Sequence, residues 1–200
     1  MSKRAFITGI NGQDGSYLAE YLLEKGYEVY GILRRNSVPE NQDSRVSGMF
    51  DNPNFHTFYG DLLDYNSLTR AISESRPHEI YNLAAQSHVR ISFDVPQFTV
   101  QTNALGVLNI LEAYRHGCPD AKFYQASSSE MFGSSVDEDG FQRETTKMTP
   151  VSPYGCAKVF GYNIIRNYRN SYKLHTNNGI LFNHESPRRG TNFVTNKVCK

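Results

Sequence analysis

The chain has 200 residues, and its 21 lysine and arginine residues nearly balance its 20 aspartate and glutamate residues. This length suits one substantial domain with its own hydrophobic core. The balanced charge, without a long run of like charges, argues against binding to nucleic acid or to an anionic membrane, and no apolar stretch approaches the ~20 residues of a bilayer span.

The amino-terminal sequence MSKRAFITGINGQDG reaches a glycine loop before the apolar region of a signal peptide could fit. The three cysteines, Cys118, Cys156 and Cys199, are odd in number and lack the spacing of metal ligands. Reduced thiols are typical of the cytosol. We therefore expect a soluble, cytoplasmic protein without a metal site.

Apolar runs bounded by turn residues alternate with amphipathic stretches along the chain. The patterns predict strands at 5–8, 27–33, 55–60, 79–85, 121–127 and 177–182, and helices at 17–26, 102–117 and 153–172. This alternation predicts an α/β, Rossmann-type doubly wound parallel sheet with helices on both faces, whose ligands bind at the carboxyl ends of the strands. The polar segment 134–152 is predicted to be a loop over that site.

Three glycines, Gly9, Gly12 and Gly15, stand between the first strand and the first helix. Glycine lets the backbone turn tightly and approach a pyrophosphate, whose charge then lies at the helix N-terminus. The alternative interpretation is a tight strand-to-helix turn without a ligand. The position of the loop in a βα unit favours a dinucleotide.

The second strand ends in Arg34 and Arg35, with no acidic residue beside them. A free ribose 2′-hydroxyl usually meets a carboxylate here, whereas a 2′-phosphate suits guanidinium groups, so NADP is favoured over NAD. Asp61 follows the third strand, near the place of an adenine ring, and small residues within 82–87 follow the fourth. Each of these features also fits solvated or turn residues.

Tyr154 and Lys158 lie four residues apart, on one face of a predicted helix, and Ser128 ends the fifth strand. The ammonium group is expected to favour ionisation of the phenol, which makes Tyr154 a base for a sugar hydroxyl. The pair alone is common in proteins. After the fifth strand of a fold that opens with a glycine loop, it indicates hydride chemistry.

These motifs together resemble the extended short-chain dehydrogenase/reductase family and, within it, the GDP-mannose 4,6-dehydratases. The resemblance rests on ITGINGQDGSYLAEYLLEKGYEVYGILRR, YNLAAQSHVRISFDVPQFT, YQASSSEMFG, SPYGCAK and GILFNHESPRRGTNFVTNK. It covers essentially the whole chain, and NHESPRRG with GQDGSYLAE is its most specific part. It implies conversion of GDP-α-D-mannose to GDP-4-dehydro-6-deoxy-α-D-mannose and water, with NADP recycled as a hydride carrier.

The resemblance also implies a role for each matching residue. Tyr154 takes the proton of the 4-hydroxyl group, Ser128 bonds the same oxygen, Lys158 holds the nicotinamide ribose, and Glu130 removes the proton on carbon 5 and protonates the leaving 6-hydroxyl group. The implied cofactor contacts are Gly9, Asn11, Gly12, Gln13, Asp14, Gly15, Arg34, Arg35, Asp61, Leu62, Leu83, Ala84, Ala85, Gln86, Ser87, Tyr154, Lys158, His184 and Arg189. The implied substrate contacts are Ser87, Asn183, Glu185 and Lys197.

The family's chains are longer than this one. Residues 1–182 are therefore expected to form the NADP-binding domain, and 183–200 the beginning of a smaller, truncated substrate domain. The resemblance further implies a homodimer or homotetramer, with a loop at 35–43 that reaches a neighbouring subunit and dimer faces on helices 101–116 and 154–172. Ser128 replaces the more usual threonine, Phe98 replaces tyrosine, and Asn196 replaces arginine.

Three alternatives remain at this point. Glu130 could simply cap the turn that follows its strand. A nucleotide-sugar epimerase or reductase of the same family needs Ser128, Tyr154 and Lys158 but not Glu130. A non-catalytic NADP-binding fragment needs none of the four.

Overall fold

The structure, a computed structural model, describes residues 2–35, 44–190, 193 and 198. Its six strands are β1 (Arg4–Thr8), β2 (Glu28–Leu33), β3 (Phe55–Tyr59), β4 (Glu79–Asn82), β5 (Lys122–Ser128) and β6 (Thr176–Leu181). They form one sheet in the order β3-β2-β1-β4-β5-β6, and every neighbouring pair is parallel. The order reverses between β1 and β4, which is where a doubly wound sheet binds its ligand. The predicted fold class is confirmed.

Six α-helices connect the strands: α1 (Gln13–Glu24), α2 (Tyr65–Ser75), α3 (Val89–Asp94), α4 (Pro96–Val100), α5 (Gly106–Gly117) and α6 (Pro153–Tyr172). A π-helical turn, Gln101–Leu105, joins α4 to α5, and 3-10 turns form at Ser47–Met49 and Ser129–Met131. The sequence predicted α5 and α6 closely, but it placed the start of α1 four residues late, at 17. It did not predict α2, α3 or α4.

Helix α2 shows why apolar periodicity does not predict every short helix. Its 11 residues are mostly polar, and its buried apolar face consists of Leu68, Ala71 and Ile72. Its N-terminus is held by the side chain of Asp64, which accepts a hydrogen bond from the backbone N–H of Ser67. Local capping and a narrow apolar face are sufficient here because the sheet supplies the rest of the core.

The hydrophobic core has two layers, one on each face of the sheet. One lies between the sheet and helices α2, α5 and α6, and includes Phe6, Ile80 and Phe123. The other lies between the sheet and α1, and includes Ile7 and Val29. Neighbouring strand residues such as Phe6 and Ile7 point to opposite faces, so near-continuous apolar strands are buried on both sides. No helix of the described residues is both long and apolar enough to cross a membrane.

Candidate active site

The glycine loop brings β1, α1 and the end of β4 into close contact. Gly9 has φ +67°, and a Cβ atom there would lie 2.9 Å from the backbone nitrogen of Ala84. A Cβ on Gly15 would lie 2.2 Å from the carbonyl oxygen of Gly9. Only glycine fits either position, which leaves an open cradle above the N-terminus of α1.

A cleft of about 430 Å³ opens at this carboxyl edge of the sheet. It brings together fifteen of the sequence-predicted cofactor residues: Gly9, Asn11, Gly12, Gln13, Asp14, Gly15, Arg34, Asp61, Leu62, Leu83, Ala84, Ala85, Gln86, Ser87 and Arg189. It also includes Phe98, where the replacement of tyrosine is expected to remove a cofactor hydrogen bond, and Thr8, Ile32, Gly60 and Thr102, which the sequence did not assign to the site. Buried side-chain oxygens of Gln13 and Gln86 have no hydrogen-bond partner. The cleft therefore fits an elongated polar ligand such as a dinucleotide.

A second cleft, of about 480 Å³, adjoins the first. The predicted catalytic residues Ser128, Glu130, Tyr154 and Lys158 line it together with Asn183, His184 and Glu185. Asp14, Leu83, Ala85, Ser87 and Arg189 line both clefts. The residues that the sequence assigned to catalysis, substrate and cofactor thus form one continuous site, except for Arg35, which lines neither cleft, and Lys197, which lies outside the described residues. Segment 134–152 forms turns as predicted but lines neither cleft.

A third pocket, of about 510 Å³, lies beside the first cleft and contains three arginines: Arg34, Arg35 and Arg70. Two acids also line it. Asp61 accepts a hydrogen bond from the N–H of Leu63, and Asp64 accepts one from Ser67. The sequence did not single out Arg70, because α2 brings it to the pocket from 35 positions along the chain.

Lys158 is buried, and its ammonium group donates a hydrogen bond to the carbonyl oxygen of Ala126 at 2.9 Å. Burial away from water lowers the pKa of Lys158 to about 8. Its nitrogen lies 5.6 Å from the centre of the Tyr154 ring. The site thus holds a cation on the same side of α6 as the phenol.

The pKa of Tyr154 is raised, mainly by burial. The hydrogen bond from Ser128 lowers this pKa and the negative charge of Glu130 raises it, while Arg189 lowers it. The expectation that Lys158 would lower the pKa of Tyr154 overall is not met in this chain. Burial removes the phenol from water, and this effect outweighs the nearby positive charges.

Ser128 lies close to both predicted proton-transfer residues, Tyr154 and Glu130. Its hydroxyl oxygen accepts a hydrogen bond of 3.2 Å from the backbone N–H of Glu130 and so caps the 3-10 turn Ser129–Met131. A hydroxyl group that accepts in this way can still donate its own hydrogen, and Ser128 is one of the groups that lower the pKa of Tyr154. Ser128 therefore fixes the turn that carries Glu130 and lines the same cleft as the predicted base, Tyr154.

A chain of buried hydrogen bonds underlies these residues, and the sequence analysis did not predict it. Thr8 donates to Asn82 at 2.6 Å, Asn82 donates to Gln125 at 2.7 Å, and Gln125 donates to the carbonyl oxygen of Ala126 at 3.0 Å. Ala126 is also the partner of Lys158. The chain links the ends of β1, β4 and β5. Polar residues inside otherwise apolar strands were the available signal.

The π-helical turn supplies a second support for the cofactor cleft. Asn103 accepts a hydrogen bond from the backbone N–H of Gln86 at 2.9 Å and donates one to its carbonyl oxygen at 2.8 Å. The hydroxyl group of Thr102 is buried at the cleft without a hydrogen-bond partner. This turn therefore fixes the loop after β4.

His184 contacts Asp14 across the junction of the two clefts. Its Nδ1 lies 2.8 Å from the carbonyl oxygen of Phe182, and its Nε2 lies 2.9 Å from the Asp14 carboxylate. Both partners are acceptors, so both hydrogen bonds form only when both ring nitrogens carry hydrogen. The pKa of His184 is accordingly raised, first by the Phe182 carbonyl and then by Asp14.

Some predictions lie outside the described residues. These are the substrate contact Lys197, the substitution at Asn196, and the subunit-crossing loop beyond Arg35. In the part of the chain that the structure describes, no three His, Cys, Asp or Glu side chains are grouped closely enough to hold a metal ion.

Comparison with known proteins identifies close relatives. The family model for GDP-mannose 4,6 dehydratase matches residues 6–200. The GDP-mannose 4,6-dehydratase of Vibrio cholerae serotype O1 is 52% identical over 205 residues, covering 99% of this chain and 54% of that protein. The human GDP-mannose 4,6 dehydratase is 51% identical over 205 residues, covering 98% and 54%. The chain spans about half the length of these curated relatives.

Solved structures of nucleotide-sugar enzymes share the fold. The dTDP-glucose 4,6-dehydratase of Bacillus anthracis in complex with NAD superposes with a TM-score of 0.83 at 25% identity, covering 98% of this chain and 60% of that one. The UDP-glucose 4-epimerase of Thermus thermophilus in complex with NAD gives a TM-score of 0.76 at 30% identity, covering 88% and 53%.

Proposed function

Because the chain belongs to the GDP-mannose 4,6 dehydratase family, we propose that it converts GDP-α-D-mannose to GDP-4-dehydro-6-deoxy-α-D-mannose and water. The observation that carries the proposal is the position of Glu130 in the same cleft as Ser128, Tyr154 and Lys158. An epimerase or a reductase acting at carbon 4 requires only the last three. A carboxylate beside them supplies the additional proton transfer that elimination of water requires.

The proposed cofactor is NADP. The Gly9 and Gly15 cradle and the unpaired oxygens of Gln13 and Gln86 fit a dinucleotide. The pocket of Arg34, Arg35 and Arg70 favours a 2′-phosphate, because its three guanidinium groups outnumber its two carboxylates, Asp61 and Asp64. When bound, the nicotinamide would supply a hydride acceptor for carbon 4 and a hydride donor for carbon 6.

The chain's own residues perform the proton transfers in this proposal. Tyr154, oriented by Ser128 and held as a phenolate by the nearby cation of Lys158, takes the proton of the 4-hydroxyl group and becomes the neutral phenol. The ketone at carbon 4 makes the proton on carbon 5 acidic. Glu130 removes that proton and donates it to the departing 6-hydroxyl group, so that one water molecule is released. A proton returned to carbon 5 would accompany the hydride at carbon 6, and it balances the proton that Tyr154 took from the 4-hydroxyl group. His184 and Arg189 contact the cofactor, while Ser87, Asn183, Glu185 and Lys197 contact the sugar nucleotide.

The proposal also covers the domains of the chain and its assembly into an oligomer. Residues 1–182 bind the cofactor, and 183–200 begin the part that binds the sugar nucleotide. The protein assembles as a homodimer or homotetramer through helices 101–116 and 154–172.

The test incubates the protein with GDP-mannose and a sub-stoichiometric amount of NADP. Each NADP is expected to support many turnovers, and the 4-keto-6-deoxy product should form without accumulation of NADPH. Stoichiometric NADPH would indicate a simple dehydrogenase, and a product inverted at carbon 4 that retains its 6-hydroxyl group would indicate an epimerase. Either result would overturn the proposal. A parallel series with NAD tests the cofactor, and equal turnover with both would contradict the preference for NADP.

Glu130→Gln separates elimination from oxidation. We expect the rate of water loss to fall by roughly 10²–10⁴-fold, the usual contribution of a general acid–base group, while exchange of the carbon-4 hydrogen with labelled NADPH persists. Glu144→Gln, which alters an exposed carboxylate outside both clefts, is the control. Parallel loss of exchange and elimination would assign Glu130 a structural role as a turn residue.

A further inference from the structure

The segment that follows β6 carries two adjacent arginines whose side chains point to different surroundings. Arg189 lines both clefts. Arg188 instead reaches helix α1, where its Nη1 donates to the hydroxyl oxygen of Ser16 at 3.0 Å and its Nη2 donates to the carboxylate of Glu20 at 2.5 Å. Its guanidinium group also lies 4.1 Å above the ring of Tyr17. Three residues of α1 thus form a seat for one arginine.

Two further contacts join the same segment to the glycine loop. Arg45 donates one hydrogen bond of 3.0 Å to the carbonyl oxygen of Arg188 and another of 3.1 Å to that of Asn11. Gln13 donates a hydrogen bond of 3.3 Å to the carbonyl oxygen of His184. Residues 184–189 are therefore connected to α1 and to the loop at several points, of which Arg188 makes the most extensive contact.

The environment of Arg188 makes its contact stronger than an ordinary surface ion pair. The Arg188 side chain is 24% exposed and that of Glu20 is 40% exposed, so solvent screens the pair only in part. The flat guanidinium group is held by a charged hydrogen bond, a neutral one and an aromatic ring at once. Lysine could keep the charge but not this combination of contacts.

We propose that Arg188 is a positioning residue that fastens residues 183–190 to α1 and thereby keeps Arg189 at the cofactor cleft and His184 against Asp14 at the junction of the two clefts, so that NADP dissociates slowly. The inference rests on the proposed function, in which the same NADP must remain bound between oxidation and re-reduction. Slow release of the cofactor keeps it available for the second hydride transfer of such a cycle. A dehydrogenase that exchanges its cofactor in every turnover does not need slow release.

The test compares Arg188→Lys and Glu20→Gln with the unchanged chain. In both variants we expect NADPH to dissociate about tenfold faster or more, from the usual strength of hydrogen bonds to charged groups, as followed by stopped-flow fluorescence. The KM for NADP should rise by a larger factor than kcat falls. Amide hydrogen exchange at 183–190 should accelerate even without cofactor. The effect of the double variant should be smaller than the sum of the two single effects, because both changes weaken the same pair of Arg188 and Glu20.

Arg143→Lys is the matched control, because Arg143 also pairs with carboxylates, Asp137 and Asp139, and lies over an aromatic ring, but outside both clefts. Its rate of NADPH release should equal that of the unchanged chain. Unchanged release in Arg188→Lys and Glu20→Gln would overturn the inference and leave the proposed function intact. Release that accelerates only in proportion to a lower melting temperature would also overturn it, since that pattern indicates general destabilisation. Failure of the unchanged chain to bind NADP would overturn both.

Discussion

Lys158 is a buried cation whose ammonium group contacts a backbone carbonyl oxygen, that of Ala126. Such a position is costly, because burial penalises the charged form of the side chain. The lowering of its pKa from 10.5 to about 8 corresponds to roughly 3 kcal/mol. A core built only for stability would contain an apolar side chain here. Support for the ionisation of Tyr154 during the reaction would account for this cost in the stability of the folded protein.

Lys158→Met is therefore expected to stabilise the protein at pH 7, by roughly 1–3 kcal/mol. The gain should be fully present below pH 8. As the pH rises from 8 towards 10.5, the folded wild type loses the proton of Lys158 while the unfolded chain keeps it, so the wild type gains stability and the difference shrinks. Urea unfolding of both proteins across this pH range measures the effect. Lys147→Met, which changes an exposed lysine, should show no comparable trend, and a pH-independent difference at Lys158 would contradict the explanation.

For the individual catalytic residues, spacing in the sequence predicted which side chains meet in the site but not their pKa values. Tyr154 and Lys158 share a helix face whatever surrounds them, and Ser128 and Glu130 follow a recognisable strand, so the structure places all four in one cleft. The raised pKa of Tyr154 depends on burial by residues distant in sequence. The same reason explains why the contribution of Arg70 to the arginine pocket was not predicted.

Helix α6 meets the 3-10 turn of Glu130 at Gly155, which stands next to Tyr154. A Cβ atom on Gly155 would lie 2.7 Å from the carbonyl oxygen of Glu130 and 3.0 Å from Cβ of Pro150. The backbone N–H of Gly155 is also bound to Ser152, the residue that caps α6. The absence of a side chain thus sets the distance between the element that carries the phenol and the element that carries the carboxylate.

Gly155→Ala should lower the free energy of unfolding by about 1–3 kcal/mol, because the added atom forces the two elements apart. Water elimination should slow more than NADP binding weakens, since Glu130 is displaced while the glycine loop is not. Gly161→Ala in the same helix is the control. Its Cβ would meet Val107 at 3.5 Å, an ordinary contact, so the better helix propensity of alanine should stabilise the protein by up to about 1 kcal/mol. Equal effects of the two substitutions in chemical unfolding would contradict this assignment.

The elements differ in how well the sequence predicted them. The six strands were predicted from short β-rich runs bounded by turn residues, and helices α5 and α6 from apolar periodicity; their predicted bounds agree with the structure within a few residues. Helices α3 and α4 have only six and five residues, too few to establish a period. The π-helical turn at Gln101–Leu105 differs from an α-helix by one hydrogen-bond register, which composition does not encode. Its function in holding Gln86 was therefore visible only in three dimensions.

In the molecule as a whole, three functional segments that are far apart in the sequence meet at the carboxyl edge of the sheet. The glycine loop, the catalytic helix and the segment after β6 meet at residues shared by both clefts, including Asp14 and Arg189. Contacts of Arg188 and His184 with α1 tie the start of the proposed sugar-nucleotide part to the cofactor-binding part. The length suits one substantial domain, and the parallel topology explains why distant motifs converge at one edge of its sheet.

The proposed dimer predicts a further property of the whole molecule. Helices α4 and α6 pack side by side, and large apolar side chains remain exposed along this region, including Val100, Leu105 at 48% and Phe160 at 39%. Exposed apolar side chains grouped on neighbouring elements are typical of a protein interface.

In a symmetric dimer each substitution acts twice, because the same surface is present on both subunits. Leu105→Glu and Phe160→Glu should therefore convert the dimer to a monomer in light-scattering measurements. Phe141→Glu should not, although Phe141 is 65% exposed, because it lies on the 134–152 loop. Dimers that persist in both helix variants would place the interface on another surface.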